Sequence, residues 1–140
     1  MDDLDRQILD ILRRDARTPY TEIAEQVGTS EGTVRNRVER LLEEGIIERF
    51  TVSTRTGNIK AMIEVSVKVN VHTTALSERM AEWDQVDFVW QGSGEEDVVL
   101  VVDAADTHAV NQLITRAREL EEVENTKTRL ILDERLGRSA

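Results

Sequence analysis

The sequence predicts an α+β chain of two small domains. Residues 1–50 form an N-terminal helix-turn-helix unit of winged-helix-like layout. Residues 61–140 form a C-terminal ferredoxin-like unit with element order β-α-β-β-α-β, and a strand and turn at 51–60 join the two. Three observations carry this. Apolar residues recur at helical spacing up to Glu44, the period switches to strict alternation from Ile63, and two later helix stripes each lie between strand-like runs. A chain of 140 residues divided this way has two thin cores, and each gains from burying surface against a partner chain.

The first helix is set by Leu4, Ile8, Ile11 and Leu12, one apolar stripe with Arg6, Asp10, Arg13 and Arg14 off it, and it should end near Arg17. Thr18 is placed as the cap of a second helix and Pro19, the only proline, as its first residue. Ile23, Ala24 and Val27 give that helix its inner face, and Gly28 breaks it in a left-handed turn. Ser30 caps a third helix running to about Glu44, with Val34, Val38, Leu41 and Leu42 inward and Gly45 as its stop. Ile46, Ile47, Phe50 and Val52 then begin extended structure, and Gly57 with Asn58 makes a turn.

In the second half, Ile63, Val65, Val67, Val69 and Val71 alternate with polar residues, the mark of a half-buried strand. Leu76, Met80 and Trp83 mark a helix, and Phe88 to Gln91 a short strand ended by Gly92, Ser93 and Gly94. Val98 to Val102 is an unbroken apolar run and reads as a strand covered on both faces. Val110, Leu113, Ile114 and Ala117 form the last helix stripe, and Thr126 to Leu132 the closing strand. The two halves of this domain form a weak internal repeat.

Charge narrows the function classes. The net charge is −10, and only three of the 18 basic residues are lysines, Lys60, Lys68 and Lys127. Excess acid with scarce lysine is expected of a protein kept soluble in a very salty, haloarchaeal-type cytoplasm. There is no cysteine, which excludes disulfides and thiolate metal sites. The chain opens directly on a charged helix pattern and holds no apolar run long enough for a bilayer, so the expected setting is cytoplasmic, with no membrane partner.

The third helix carries the chemistry. At about 100° per residue, Thr33, Arg37 and Arg40 fall on one flank with Asn36 beside them, and Arg35 falls on the other flank near Leu42. The expected ridge of Thr33, Asn36, Arg37 and Arg40 faces away from the core. Arginine forks onto guanine, asparagine onto adenine, and threonine meets a thymine methyl. Ser30 and Gly32 in the first turn leave backbone N–H groups open to a phosphate. These residues point to double-stranded DNA. Acidity opposes this, because a DNA binder normally shows a basic footprint, here limited to Arg35, Arg37, Arg40, Arg49, Arg55 and Lys60. In concentrated salt the gain from counterion release falls away. A binder there relies on planar, bidentate arginine contacts instead.

With these residues in place, the chain resembles the Lrp/AsnC family of transcription regulators, also called feast/famine proteins. The resemblance is carried by Leu4–Leu9 opening the first helix, Glu22–Ala24 and Val27–Ser30 in the helix-turn-helix, and Arg37–Leu41 followed by Gly45–Ile47. In the second domain it is carried by Gly94–Asp97, matching a G-x-x-D loop, and Thr126–Thr128, matching a T-x-T strand. It implies a homodimer built through the sheets of the second domain, assembly into tetramers, octamers or larger rings, and a small effector, usually an amino acid, bound where dimers meet. Glu31 stands where the family often has proline, and Glu96 where its loop often has an aromatic residue.

The effector residues expected are Gly92, Gly94, Asp97, Thr126 and Thr128. An amino acid offers an ammonium for the Asp97 carboxylate and a carboxylate for backbone N–H groups of the glycine-rich turn, and the threonine hydroxyls serve either. Glu95 and Glu96 disfavour an acidic ligand, so a neutral or basic amino acid is expected. No catalytic residue, cofactor or metal site is expected. His72 and His108 lack partners at ligand spacing, Asp103 and Asp106 read as helix caps, and Trp83 and Trp90 as core or interface anchors. The glutamates at 119, 121, 122 and 124 read as a solvated edge. Two other classes share the architecture. One is an enzyme like the sirohaem decarboxylases, which resemble this two-domain layout but have no need of an outward ridge on the third helix. The other is a metabolite-binding module without DNA binding.

Overall fold

The computed structural model describes residues 1–137. The chain divides into two compact units, Met1–Thr54, to which Arg135 also belongs, and Arg55–Glu134.

The first unit holds α1 (Asp3–Arg14), α2 (Tyr20–Val27) and α3 (Glu31–Glu43). A reciprocal capping box opens α1: the Asp2 carboxylate accepts from the Asp5 N–H, and the Asp5 carboxylate accepts from the Asp2 N–H, both at 2.9 Å. The helix ends three residues before Arg17, where the Asp15 N–H bonds back to the Ile11 carbonyl. The Thr18 hydroxyl donates to the Asp15 carbonyl at 2.8 Å and closes the connecting turn instead of capping α2. Pro19 takes the cap position, so α2 starts one residue later than the sequence predicts. Gly28 adopts the expected left-handed conformation at φ 73°. The Ser30 hydroxyl accepts from the Thr33 N–H at 3.2 Å, the cap expected for α3. Ile8, Leu12, Ile23, Ala24, Val34 and Val38 make the core, with Leu41 also buried. Leu42, expected inward, is exposed.

After α3 the expected extended segment pairs with nothing among the described residues. The Ile46 and Ile47 N–H groups both return to the Leu41 carbonyl, and no strand is present from there to Asn58. A strand exists only when a neighbour takes its N–H and C=O groups. This stretch has none among the described residues, so no wing or linker strand forms there and Phe50 and Val52 are exposed.

The second unit has the expected β-α-β-β-α-β order: β1 (Ile59–Val67), α4 (Thr73–Ala81), β2 (Val86–Gln91), β3 (Val98–Ala104), α5 (Thr107–Arg118) and β4 (Val123–Leu130). Its sheet is antiparallel throughout with order β2-β3-β1-β4. The first and last strands start earlier and end earlier than their apolar patterns suggest. Val69 is exposed beside Asn70, whose φ of 65° turns the chain, and Val123 enters the core. Both helices cover one face of the sheet. Ala61, Ile63, Val65, Val98, Leu100 and Val102 pack there against Leu76, Met80, Trp83, Val110, Leu113 and Ala117.

β3 corrects an expectation. Its residues alternate between buried and half-buried, so one face is covered and the other is open in this chain. The register aligns Phe88, Val101 and Met62 in one row of the open face, and Trp90, Val99 and Glu64 in the next. Trp83 is a core residue stacked by Arg116 at 4.4 Å, whereas Trp90 is exposed. Asp106 caps α5, accepting from the Ala109 N–H at 2.8 Å, but Asp103 lies within β3 and caps nothing. Among the described residues, no helix is long and apolar enough to cross a membrane.

Leu100 is fully buried at the centre of this sheet. Leu100→Ala should lower the unfolding free energy by about 2–5 kcal/mol, read from the midpoint of a urea titration. An unchanged midpoint would mean that the strand is not central to the core.

Candidate functional site

The outer side of α3 differs from the helical-wheel expectation by the position of one neighbour, α1. Gly32, Arg35, Asn36 and Glu39 are exposed, whereas Thr33, Arg37 and Arg40 are half-buried. The Thr33 hydroxyl is hydrogen-bonded to the Ser30 hydroxyl at 2.9 Å. Ser30 itself is exposed at the helix entrance. Of the expected ridge, Asn36 alone points freely outward, and Thr33, Arg37 and Arg40 occupy the flank.

Arg37 and Arg40 turn back toward α1. The Arg37 guanidinium donates to the carboxylates of Asp2 and Asp5, the latter at 3.1 Å, and Arg40 donates to the second Asp5 oxygen at 2.6 Å. The Asp5 side chain has no solvent exposure. Burial pushes its carboxyl upward. The Asp2 N–H, the Arg37 hydrogen bond and the Arg40 charge together outweigh burial and hold it below the ordinary 3.8. The Arg37 hydrogen bond and the Asp5 N–H likewise hold Asp2 well below the usual carboxylate range.

Arg35 sits on the opposite flank. It bonds Glu31 at 2.7 Å and lies over the Tyr20 ring at 5.4 Å. Arg55 and Lys60 both engage Glu134, through its carbonyl at 2.8 Å and its carboxylate at 3.0 Å. Five of the six basic residues that composed the expected footprint are therefore already bonded within the chain, and Arg49 is the exception.

In the second unit, the loop Gly92–Asp97 is tied to the end of β1. The Asp97 N–H donates to the Val65 carbonyl at 3.0 Å, its carboxylate accepts from the Val67 N–H at 3.1 Å, and the Gly92 N–H donates to the Asp97 carbonyl. Gly94, at φ 134°, holds a conformation that side chains rarely adopt. Thr126 is buried and accepts from Arg118 Nε at 2.9 Å. Thr128 is exposed, and both threonines lie on the helix side of the sheet, in register with Val65 and Ile63. Lys127 between them lies on the open side and bonds Glu96 at 2.6 Å, an interaction that lowers the Glu96 carboxyl and raises the lysine. Among the described residues, no cluster of His, Cys, Asp and Glu could hold a metal. His72 stands at the start of α4 without a side-chain cap bond, and His108 is exposed.

Residues 1–42 match the AsnC-type helix-turn-helix domain, and residues 60–139 match the Lrp/AsnC ligand binding domain. The chain belongs to the Lrp/AsnC family. It is 35% identical over 133 residues to the HTH-type transcriptional regulator LysM of Sulfurisphaera tokodaii, covering 94% of this chain and 95% of that protein. It superposes on the Mycobacterium tuberculosis leucine response regulatory protein with a TM-score of 0.85 at 25% identity, covering 98% of this chain and 96% of that one. It has the same fold as a feast or famine regulatory protein from M. tuberculosis complexed with L-methionine, with a TM-score of 0.85 at 24% identity, covering 99% and 97%. This Lrp/AsnC chain is a DNA-binding transcription regulator with a ligand-binding domain.

The residue that the apolar pattern passes over in this regulator is Asp5. It lies three residues before Ile8 and seven before Leu12, both buried, and so on the inward stripe of α1. A carboxylate at an inward position signals a buried cationic partner, and that signal was available in the sequence. Ionised Asp5 stabilises the fold above its ordinary 3.8, and this contribution is lost as the pH falls below that value toward the lowered one. Asp5→Asn should therefore cost about 1–3 kcal/mol near neutral pH, and the gap to the parent should narrow below about pH 4. Thermal melts of both proteins across this range measure it, and a gap independent of pH would contradict the assignment.

Proposed function

We propose that this chain is a homodimeric, effector-responsive regulator. It contacts double-stranded DNA through Ser30, Gly32, Thr33 and Asn36 of α3, with Arg37 and Arg40 at the flank. It senses a neutral or basic amino acid at Gly92, Gly94, Asp97, Thr126 and Thr128, and so adjusts metabolic genes in the cytoplasm. The observation that carries the DNA reading is α3 itself, a Ser30-capped helix with one face packed in a three-helix core and the other exposed. Relatives named as transcription regulators support it over an enzymatic reading. A regulator of the same fold complexed with L-methionine supports an amino-acid effector.

Second copies are favoured by two apolar surfaces. One is the open sheet face with Phe88, Trp90, Val99, Val101 and Met62. The other is a groove of about 640 Å3 between α1 and residues 46–51, where Leu9, Leu12, Ile46, Ile47 and Phe50 share the lining with the charged Arg6, Asp10, Arg13, Glu48 and Arg49. Homodimers cover such faces, and tetramers or octamers extend them.

At −10 per chain, and with salt adaptation as the reason for that charge, copies repel more strongly as salt is removed. Native mass spectrometry or light scattering should find dimers or larger even assemblies in concentrated salt and dissociation in dilute buffer. A folded monomer at every salt concentration would overturn the dimer, and an oligomer indifferent to salt would overturn the adaptation.

The sensing loop is tested by thermal-shift titration against the common amino acids. A neutral or basic one should raise Tm in the parent and fail to do so in Asp97→Ala. A ligand that stabilises both equally would remove the loop from the site. Lys127 already neutralises Glu96, so Glu95 supplies the remaining charge against acidic ligands.

A further inference from the structure

We infer that the bases are read by Arg35, Asn36 and Glu39, and that Arg37 and Arg40 are positioning residues that hold the reading helix on α1. The inference rests on the DNA-binding reading above and divides its surface differently.

The exposed arc of α3 is narrow and chemically complete. Arg35, Glu39 and Asn36 fall in that order within about 100° of arc, and Glu39 lies about 6 Å further along the axis than Arg35. On a helix lying along the major groove, that distance is close to two base-pair steps of about 3.4 Å. The three side chains supply the three polar base contacts the groove discriminates: a guanidinium fork for guanine, an amide for adenine, and a carboxylate acceptor for the amino group of cytosine. Asn36 and Glu39 make no side-chain hydrogen bond or ion pair among the described residues. Gly32 lies between them on the same arc. A side chain there would meet nothing within 4 Å, so the protein's own packing does not require glycine. Its lack of a side chain leaves this face open to close approach by another molecule.

The arginines separate by what leaving their partners would cost. Arg35 holds exposed Glu31 and rests on Tyr20, an arrangement that positions it and is readily exchanged for a base edge. Arg37 and Arg40 hold Asp5, whose carboxylate has no contact with water and would be stranded if they moved to DNA. Glu39 adds a constraint of sign. A carboxylate facing DNA repels phosphates whatever the sequence, and only an exposed base amino group compensates for it, cytosine N4 being the usual partner of a carboxylate.

The test is selection of bound duplexes from a random-sequence pool by the full-length parent and by Arg35→Gln, Glu39→Gln and Arg37→Gln, with thermal melts of each. Arg35→Gln and Glu39→Gln should keep the parental Tm and each lose discrimination at a different base position by about 5- to 150-fold. Glu39→Gln should also bind random duplex more tightly than the parent does. Arg37→Gln should lower Tm and weaken binding evenly while leaving the preferred sequence unchanged, and Arg37→Lys should recover part of both. Unchanged preferences in the Arg35 and Glu39 variants, or a new preference in the Arg37 variant, would overturn the division of roles. A parent that enriches no sequence at all would overturn the DNA-binding reading and this inference together.

Discussion

The reading helix keeps its place through one buried carboxylate. Asp5 leaves water entirely, and an isolated charge so placed would be costly enough to unfold a small domain or to protonate. The chain avoids both outcomes by surrounding it. The Asp2 N–H supplies a backbone donor, and Arg37 and Arg40 supply two guanidinium groups from a helix more than thirty residues away. Hydrophobic packing between α1 and α3 is non-directional and would tolerate rotation of α3 about its axis. The two-arginine clasp has direction, and it fixes which residues of α3 face outward. Rotational register in a DNA reader determines which side chains meet the bases, so a clasp that sets it would contribute specificity more than affinity.

The same clasp explains what the sequence made legible and what it did not. Three helices, the Gly28 turn, the Ser30 cap and the β-α-β-β-α-β order follow from local rules, namely apolar period, glycine φ and hydroxyl caps. Each acts within a few residues. The outward face of α3 is a long-range property. A helical wheel places Arg37 and Arg40 opposite Leu42, but Leu42 turns out exposed, and the true inner line runs through Val34, Val38 and Leu41. Taking Leu42 as inward rotates the wheel and brings the two arginines to the front. Asp5, hidden among the apolar positions of α1, was the residue that could have corrected it. The linker strand is absent for a related reason: Phe50 and Val52 have strand-like character, but no neighbour among the described residues takes their backbone hydrogen bonds.

The loop Gly92–Asp97 shows a comparable commitment of side chains to internal bonds. Asp97 closes the end of β1 by accepting from the Val67 N–H, and Thr126 is held by Arg118. Carboxylates have several acceptor positions and a hydroxyl has one donor and two acceptor sites, so neither residue is exhausted by these bonds. A ligand ammonium at Asp97 would meet a carboxylate that also fixes the loop to β1, and occupancy and loop geometry would then be coupled by a single group. Glu96, expected to add negative charge against an acidic ligand, is bound to Lys127 on β4, and that ion pair ties the loop to the strand carrying Thr126 and Thr128.

Charge remains the largest tension between composition and function. A net −10 with most of the expected basic footprint bonded internally leaves little electrostatic attraction for a polyanion. Binding driven by counterion release needs many free cations, and this surface offers few. Binding driven by matched donors and acceptors on base edges needs only a correctly oriented helix. The internal use of Arg37 and Arg40 is consistent with the second regime: these cations are withdrawn from general attraction to phosphate and used to set the angle of the helix. The expected cost is weak affinity for DNA of arbitrary sequence. In a crowded genome that weakness favours the specific site, because selectivity depends on the ratio between specific and non-specific binding rather than on affinity alone.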